Sequence, residues 1–125
     1  MIELKIDEPT GIIKAVGTGR WSIADVDAFF DKLEPIVANF RASGRPIRFL
    51  SDVTGADIQS PEVEARINAH SLRLHQPGDR SAVVVKNILH KAHARDAAVS
   101  PQAALFCSYS AAQTWLLAHD YKISA

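Results

Sequence analysis

Val26, Phe29, Phe30, Leu33, Ile36, Val37 and Phe40 recur at spacings of three and four. At 3.6 residues per turn they fall within an arc of about 120°. A helix with a stripe this wide must lay it on another apolar layer. The segment behind it, "IRFLSDV", reads as a fully buried strand ending in Asp52. Helix followed by buried strand is the grammar of a parallel sheet with covering helices. Pro35 lies nearly opposite the stripe, where it faces solvent and bends the helix toward the core.

Local signals extend the pattern in both directions. "MIELKID" alternates like a half-buried strand, Pro9 and Gly11 suit a type I turn, and "IIKAVGTG" is a second strand. The chain therefore opens on a hairpin, with the first strand as the antiparallel edge. Ser22 caps the striped helix and Asp25 completes a capping box, with Trp21 and Val26 spaced as a hydrophobic staple. Gly44 ends it. Ser60 caps a second helix whose first position is Pro61, which runs to about His75. "SAVVV" is a fourth strand, and "NILHKAHARDAAV" is a third helix capped by Asn87. "AALFCS" is a fifth strand, and "SAAQTWLLAH" is a closing helix with a capping box of Ser110 and Gln113. The expected core is Val26, Phe29, Phe30, Leu33, Val37 and Phe40, with Val83, Val84, Val85, Leu105 and Trp115. The architecture is one α/β domain over residues 1–125: a five-stranded, mostly parallel sheet with an N-terminal hairpin and four helices.

The 125 residues suit a single core, and 14 basic residues balance 14 acidic ones. That balance argues against nucleic-acid binding and puts little charge repulsion in the way of a homodimer. One cysteine, Cys107, forms no internal disulfide, which points to a cytoplasmic protein. Cys107 reads as a small core residue of the fifth strand. Neither a signal peptide nor a membrane-length apolar run is expected.

With those elements in place, the chain resembles the SpoIIAA-like (STAS/SEC14-related) bacterial proteins. The likeness rests on the element order, on "GTGRWS" at the first helix entry, on "FLSDV" ending in Asp52, and on the terminal "SAAQTWLL". It covers essentially the whole chain. It implies a small non-enzymatic domain that binds a protein partner or a small apolar, lipid-like ligand. The alternative it implies is a phosphorylation-regulated anti-sigma-factor antagonist. Antagonists of the wider STAS group carry a phosphorylatable serine after the third strand, commonly in an Asp-Ser-Ser/Thr-Gly run. Here the loop is "DVTGADIQSPE", with Ser60 at a comparable helix entry and Asp57 upstream. The Asp-Ser adjacency and the following glycine are absent.

Ligands of open α/β sheets bind outside the carboxyl ends of the strands. That rim gathers Thr18, Arg20, Trp21, Asp52, Thr54, Asp57, Ser60, Lys86, Asn87, Ser108 and Tyr109, with Arg20 and Lys86 placed to hold an anion. His70 falls inside the apolar stripe of Val63, Ile67 and Leu74 on the second helix. It is either a satisfied core histidine or a polar group lining a pocket. His90 and His93 share a helix face, but a metal site wants three or four ligands, and no metal or cofactor is expected. "GTGRWS" is no dinucleotide fingerprint, because Ser22 stands where the third glycine belongs. Asp96 sits where the third helix frays or pairs with Arg95. Without a nucleophile elbow or a general-base pair, no catalytic residue is assigned.

Overall fold

A computed structural model describes residues 1–97 and 102–118. The expected continuation of the third helix over residues 98–99, and His119 of the closing helix, lie outside them. β1 (Ile2–Asp7) and β2 (Ile12–Gly19) pair antiparallel from Ile2↔Gly17 to Asp7↔Ile12. The turn between them closes from the Gly11 N–H to the Asp7 carbonyl at 2.7 Å, with Gly11 at φ 72°. It is thus one residue wider than the expected type I turn.

β3 (Arg48–Ala56), β4 (Arg80–Val84) and β5 (Ala104–Phe106) add in parallel, so the sheet order is β1-β2-β3-β4-β5. Right-handed crossovers that all step in one direction put every crossover helix on one face. α1 (Ile23–Ala42), α2 (Pro61–Leu74) and α3 (Ile88–Asp96) are those helices, and α4 (Tyr109–Ala118) follows β5. Strand alternation separates two cores. On one side Ile13 meets Val26, Phe30, Leu33, Val37 and Phe40 of α1, with Ile47 and Val63. On the other, Ile12, Leu50, Ala82 and Val84 meet Ala112 and Leu116 of α4.

The caps show why the elements begin and end where they do. Ser22 Oγ accepts from the Asp25 N–H at 3.0 Å, and the Asp25 carboxylate accepts from the Ser22 N–H at 2.9 Å. That N–H holds the Asp25 carboxyl below the usual carboxylate range. α1 stops in a Schellman arrangement, with Arg45 N–H to the Phe40 carbonyl at 2.8 Å and Gly44 at φ 73°. Pro35 lies exposed on its outer side. A bidentate ion pair ties α1 to the end of α2: Arg41 reaches both Asp79 oxygens at 3.0 and 2.8 Å and donates to the Leu74 carbonyl at 2.8 Å.

Several expectations are corrected. β3 does not stop at Asp52; its last residues keep pairing with the end of β2, Thr18↔Gly55 and Gly19↔Ala56. Nor is it fully buried, since only Leu50 and Ala56 of its residues are. Phe29, Val83, Leu105 and Trp115 are half-buried, whereas Val84 and Val85 are buried as expected. Phe29 packs edge-on against Phe30, and Trp115 lies beside Phe106. β5 ends at Phe106, which leaves Cys107 exposed. α4 starts earlier than read: Ser108 Oγ accepts from the Ala111 N–H at 3.3 Å, so Ser108 caps it and the Ser110–Gln113 box does not form.

Candidate functional site

At the end of β2 the ladder to β3 slips between Val16 and Thr18. Gly17 stands at the slip because the Trp21 ring lies on it: a Cβ there would sit 2.4 Å from a ring carbon. The indole Nε1–H donates to the Thr18 carbonyl at 2.9 Å. The Trp21 N–H donates to Gln59 Oε1 at 2.7 Å, and Gln59 Nε2 donates to the carbonyls of Gly19 at 2.9 Å and Asp57 at 2.7 Å. Gln59 is thus a buried clasp joining the β2–α1 turn to the β3–α2 loop. A buried amide with all three bonds made fixes both loops in one arrangement. Sequence reading passed Gln59 by, since a glutamine between an isoleucine and a cap serine carries no motif.

The other rim residues separate into local tasks. Ser60 Oγ accepts from the Val63 N–H at 3.2 Å, and Asn87 Oδ1 from the His90 N–H at 3.0 Å, so both are helix caps. Asp52 accepts from the Thr54 N–H at 3.1 Å and from its hydroxyl at 2.7 Å. By strand alternation, Asp52 and Thr54 belong to the α4 side of the sheet with Leu50. Arg20 turns to Asp57 at 3.8 Å, an exposed pair of the kind worth little. Lys86 is exposed. The Lys14 ammonium stands 5.3 Å from the centroid of the Tyr109 ring. The structure therefore joins Arg20 with Asp57, Asp52 with Thr54, and Trp21 with Thr18.

His70 stands outside the cavity under the helices and does not line it. Its ring stacks on Phe30 at 4.5 Å, and Nε2 lies 2.8 Å from Asp27 Oδ1. Arg73 Nη2 is 3.0 Å from Nδ1. A guanidinium only donates, so Nδ1 accepts, and the proton sits on Nε2 facing Asp27. Arg66 grips the same carboxylate through Nε and Nη2, each at 2.8 Å, and Arg73 also reaches Glu34. The Arg66 bonds first, and then His70, hold the Asp27 carboxyl well below the usual carboxylate range. This is a polar seam between α1 and α2. On α3, His93 Nε2 meets Glu64 Oε2 of α2 at 2.8 Å. Among the described residues no three His, Cys, Asp or Glu side chains converge on a metal position.

The rim carries an apolar fringe that sequence reading did not assemble. Ile23, Ile58, Ile88, Leu89 and Tyr109 are exposed, and each lies in a loop or first helical turn just past a strand's carboxyl end. Met1 joins them, because its carbonyl and ammonium both bond Thr18 at the end of β2. Ile88 and Leu89 are 74% and 75% exposed. Leu72, on the outer side of α2, is the exposed large apolar residue off this rim among the described residues.

No protein-family model and no curated protein sequence matches the chain. A crystal structure of an anti-sigma factor antagonist from Mycobacterium paratuberculosis superposes with a TM-score of 0.68 at 13% identity, covering 93% of this chain and 94% of that one. The chain has the fold of an anti-sigma factor antagonist. The five-stranded sheet with its antiparallel edge and four helices is the SpoIIAA-like arrangement that the sequence resemblance implied. Among the described residues no helix is long and apolar enough to cross a membrane.

Proposed function

We propose that the chain is a non-catalytic SpoIIAA-like module that docks a protein partner on its carboxyl rim. The observation that carries this reading is the apolar fringe of Ile58, Ile88 and Leu89 with Ile23 and Tyr109, set among Arg20, Asp57 and Lys86. Apolar residues rimmed by charges mark an interaction surface. The Gln59 clasp supports it, because a rim held in one arrangement loses little entropy on docking. The fold of an anti-sigma factor antagonist makes an anti-sigma factor the first partner class to test. Ser60 serves in this reading as a helix cap. A phosphate on it would meet Glu62 and Glu64 in the same helical turn, and like charges oppose that.

The test is affinity capture from the source organism with wild type, Ile58→Asp, Leu89→Asp and Leu72→Asp as baits, read by quantitative mass spectrometry. A partner retained by wild type and Leu72→Asp and lost by at least tenfold (about 1.4 kcal/mol) from the two rim variants is the expected result. Equal loss from Leu72→Asp, or no loss from either rim variant, would overturn the reading.

A further inference from the structure

Val83 of β4, Val85 just after it and Leu105 of β5 line a cavity of about 220 Å³ between the sheet and the crossover helices, with Phe30 and Leu33 of α1, Ile67 and Leu74 of α2 and Ala94 of α3 on its other side. None of α3's residues is buried. The helix is tied to α2 over the cavity by the His93–Glu64 bond. An apolar cavity of about 150 Å³ already stays dry and takes benzene, so a space of this size admits a ring with a short chain. Its wall is not wholly apolar. Gln102 lines it, and Gln102 Oε1 is buried with no hydrogen-bond partner, alone in this among the buried side-chain polar atoms of the described residues. A buried unpaired carbonyl is costly, and a donor arriving beside it recovers that cost.

We propose that this cavity binds a small, largely apolar molecule bearing one hydroxyl, of the alkylphenol or medium-chain alcohol class, with the alkyl part against Val83, Leu105 and Ile67 and the hydroxyl donating to Gln102. The His93–Glu64 tie roofs the space, so a peptide segment cannot lie in it without breaking that bond, whereas a compact molecule fits beneath. The cavity lies between the sheet and its crossover helices, and of the apolar fringe Ile58 reaches its lining while Ile23, Ile88, Leu89 and Tyr109 do not.

The probes are 4-propylphenol and propylbenzene, titrated into the full chain and followed by amide chemical shifts and by melting temperature. Wild type is expected to bind the phenol roughly five- to fiftyfold more tightly than the hydrocarbon, the range that satisfying one buried acceptor gives. Gln102→Leu should remove that preference while still taking propylbenzene. Ala94→Phe, which fills the space from a helix with no buried residue, should lose both probes and melt no lower than wild type. Absence of shifts with both probes in wild type, an undiminished preference in Gln102→Leu, or unchanged binding in Ala94→Phe would each overturn the proposal.

Discussion

α1 and α3 arise from the same kind of connection, a crossover between neighbouring parallel strands, yet one is sealed and the other is not. α1 buries Val26, Phe30, Leu33, Val37 and Phe40 against Ile13 and its neighbours. α3 buries nothing and leaves Ile88 and Leu89 in solvent. The contrast starts in the sequence. α1 carries a continuous apolar arc from Val26 to Phe40, whereas α3 offers "ILHKAHARD", with alanine and histidine where a sealing helix needs leucine or phenylalanine. Small side chains leave space above Val83 and Leu105, and that is why these two residues of the expected core are only half-buried. Between the sheet and the crossover helices, the buried side chains gather under α1, and α3 adds none to them.

Substitutions in the two cores separate these roles most strongly. Phe30→Ala or Phe40→Ala should cost about 3–5 kcal/mol in denaturant unfolding. Leu105→Ala, beside existing space, should cost under about 2 kcal/mol, because its side chain is only half removed from water. Equal losses would erase the contrast.

The next largest effect is at the Arg41–Asp79 pair, which ties α1 to the loop before β4. The Asp79 side chain is 9% exposed and that of Arg41 25%. Arg41→Leu should cost about 2–4 kcal/mol, because it strands a largely buried carboxylate. Burial pushes the Asp79 carboxyl up, but the Arg41 fork and the Gln76 N–H outweigh it and hold it low. Its folded pKa therefore lies below its unfolded value of about 3.9. The stability it adds is present above that value and is lost as pH falls through the folded one. Asp79→Asn should flatten the fall in stability below about pH 4; an unchanged acid limb would mean that the pair does not govern it.

Smaller effects come from the caps. Ser22→Ala, Ser60→Ala and Ser108→Ala should each lower stability by about 0.5–2 kcal/mol, while Ser110→Ala stays within about 0.5 kcal/mol. Thermal melts that reverse the order of Ser108 and Ser110 would return the start of α4 to the later serine.

What was legible in the sequence follows the range of the forces involved. The Ser22–Asp25 box, the Ser60 and Asn87 caps and the Gly44 stop are decided within four residues, and they stand where the residues say. The α1 stripe is legible because its period survives any tertiary context. The end of β3 was not legible: Thr54 and Gly55 look like loop residues, and only the pairing of Gly55 and Ala56 with Thr18 and Gly19 carries the strand on. The Gln59 clasp spans 38 residues to Trp21, so no local pattern announces it. His70 was legible as a histidine in an apolar stripe, but its partners Asp27 and Phe30 belong to another helix. The rim fringe escaped for the opposite reason. Each apolar residue reads as an ordinary helix start, and only the parallel sheet brings them to one edge.

Native-state hydrogen exchange tests the central claim most directly, because it reads the local opening free energy of each helix separately. Amides of α1 from Val26 to Phe40 should exchange only through global unfolding. Those of α3 that bond within the helix, Lys91 to Asp96, should exchange through local opening, faster by roughly a hundredfold or more. Protection of α3 equal to that of α1 would show the β4–β5 side to be as firmly sealed as the other, contradicting the division of the molecule into a sealed half and an open one.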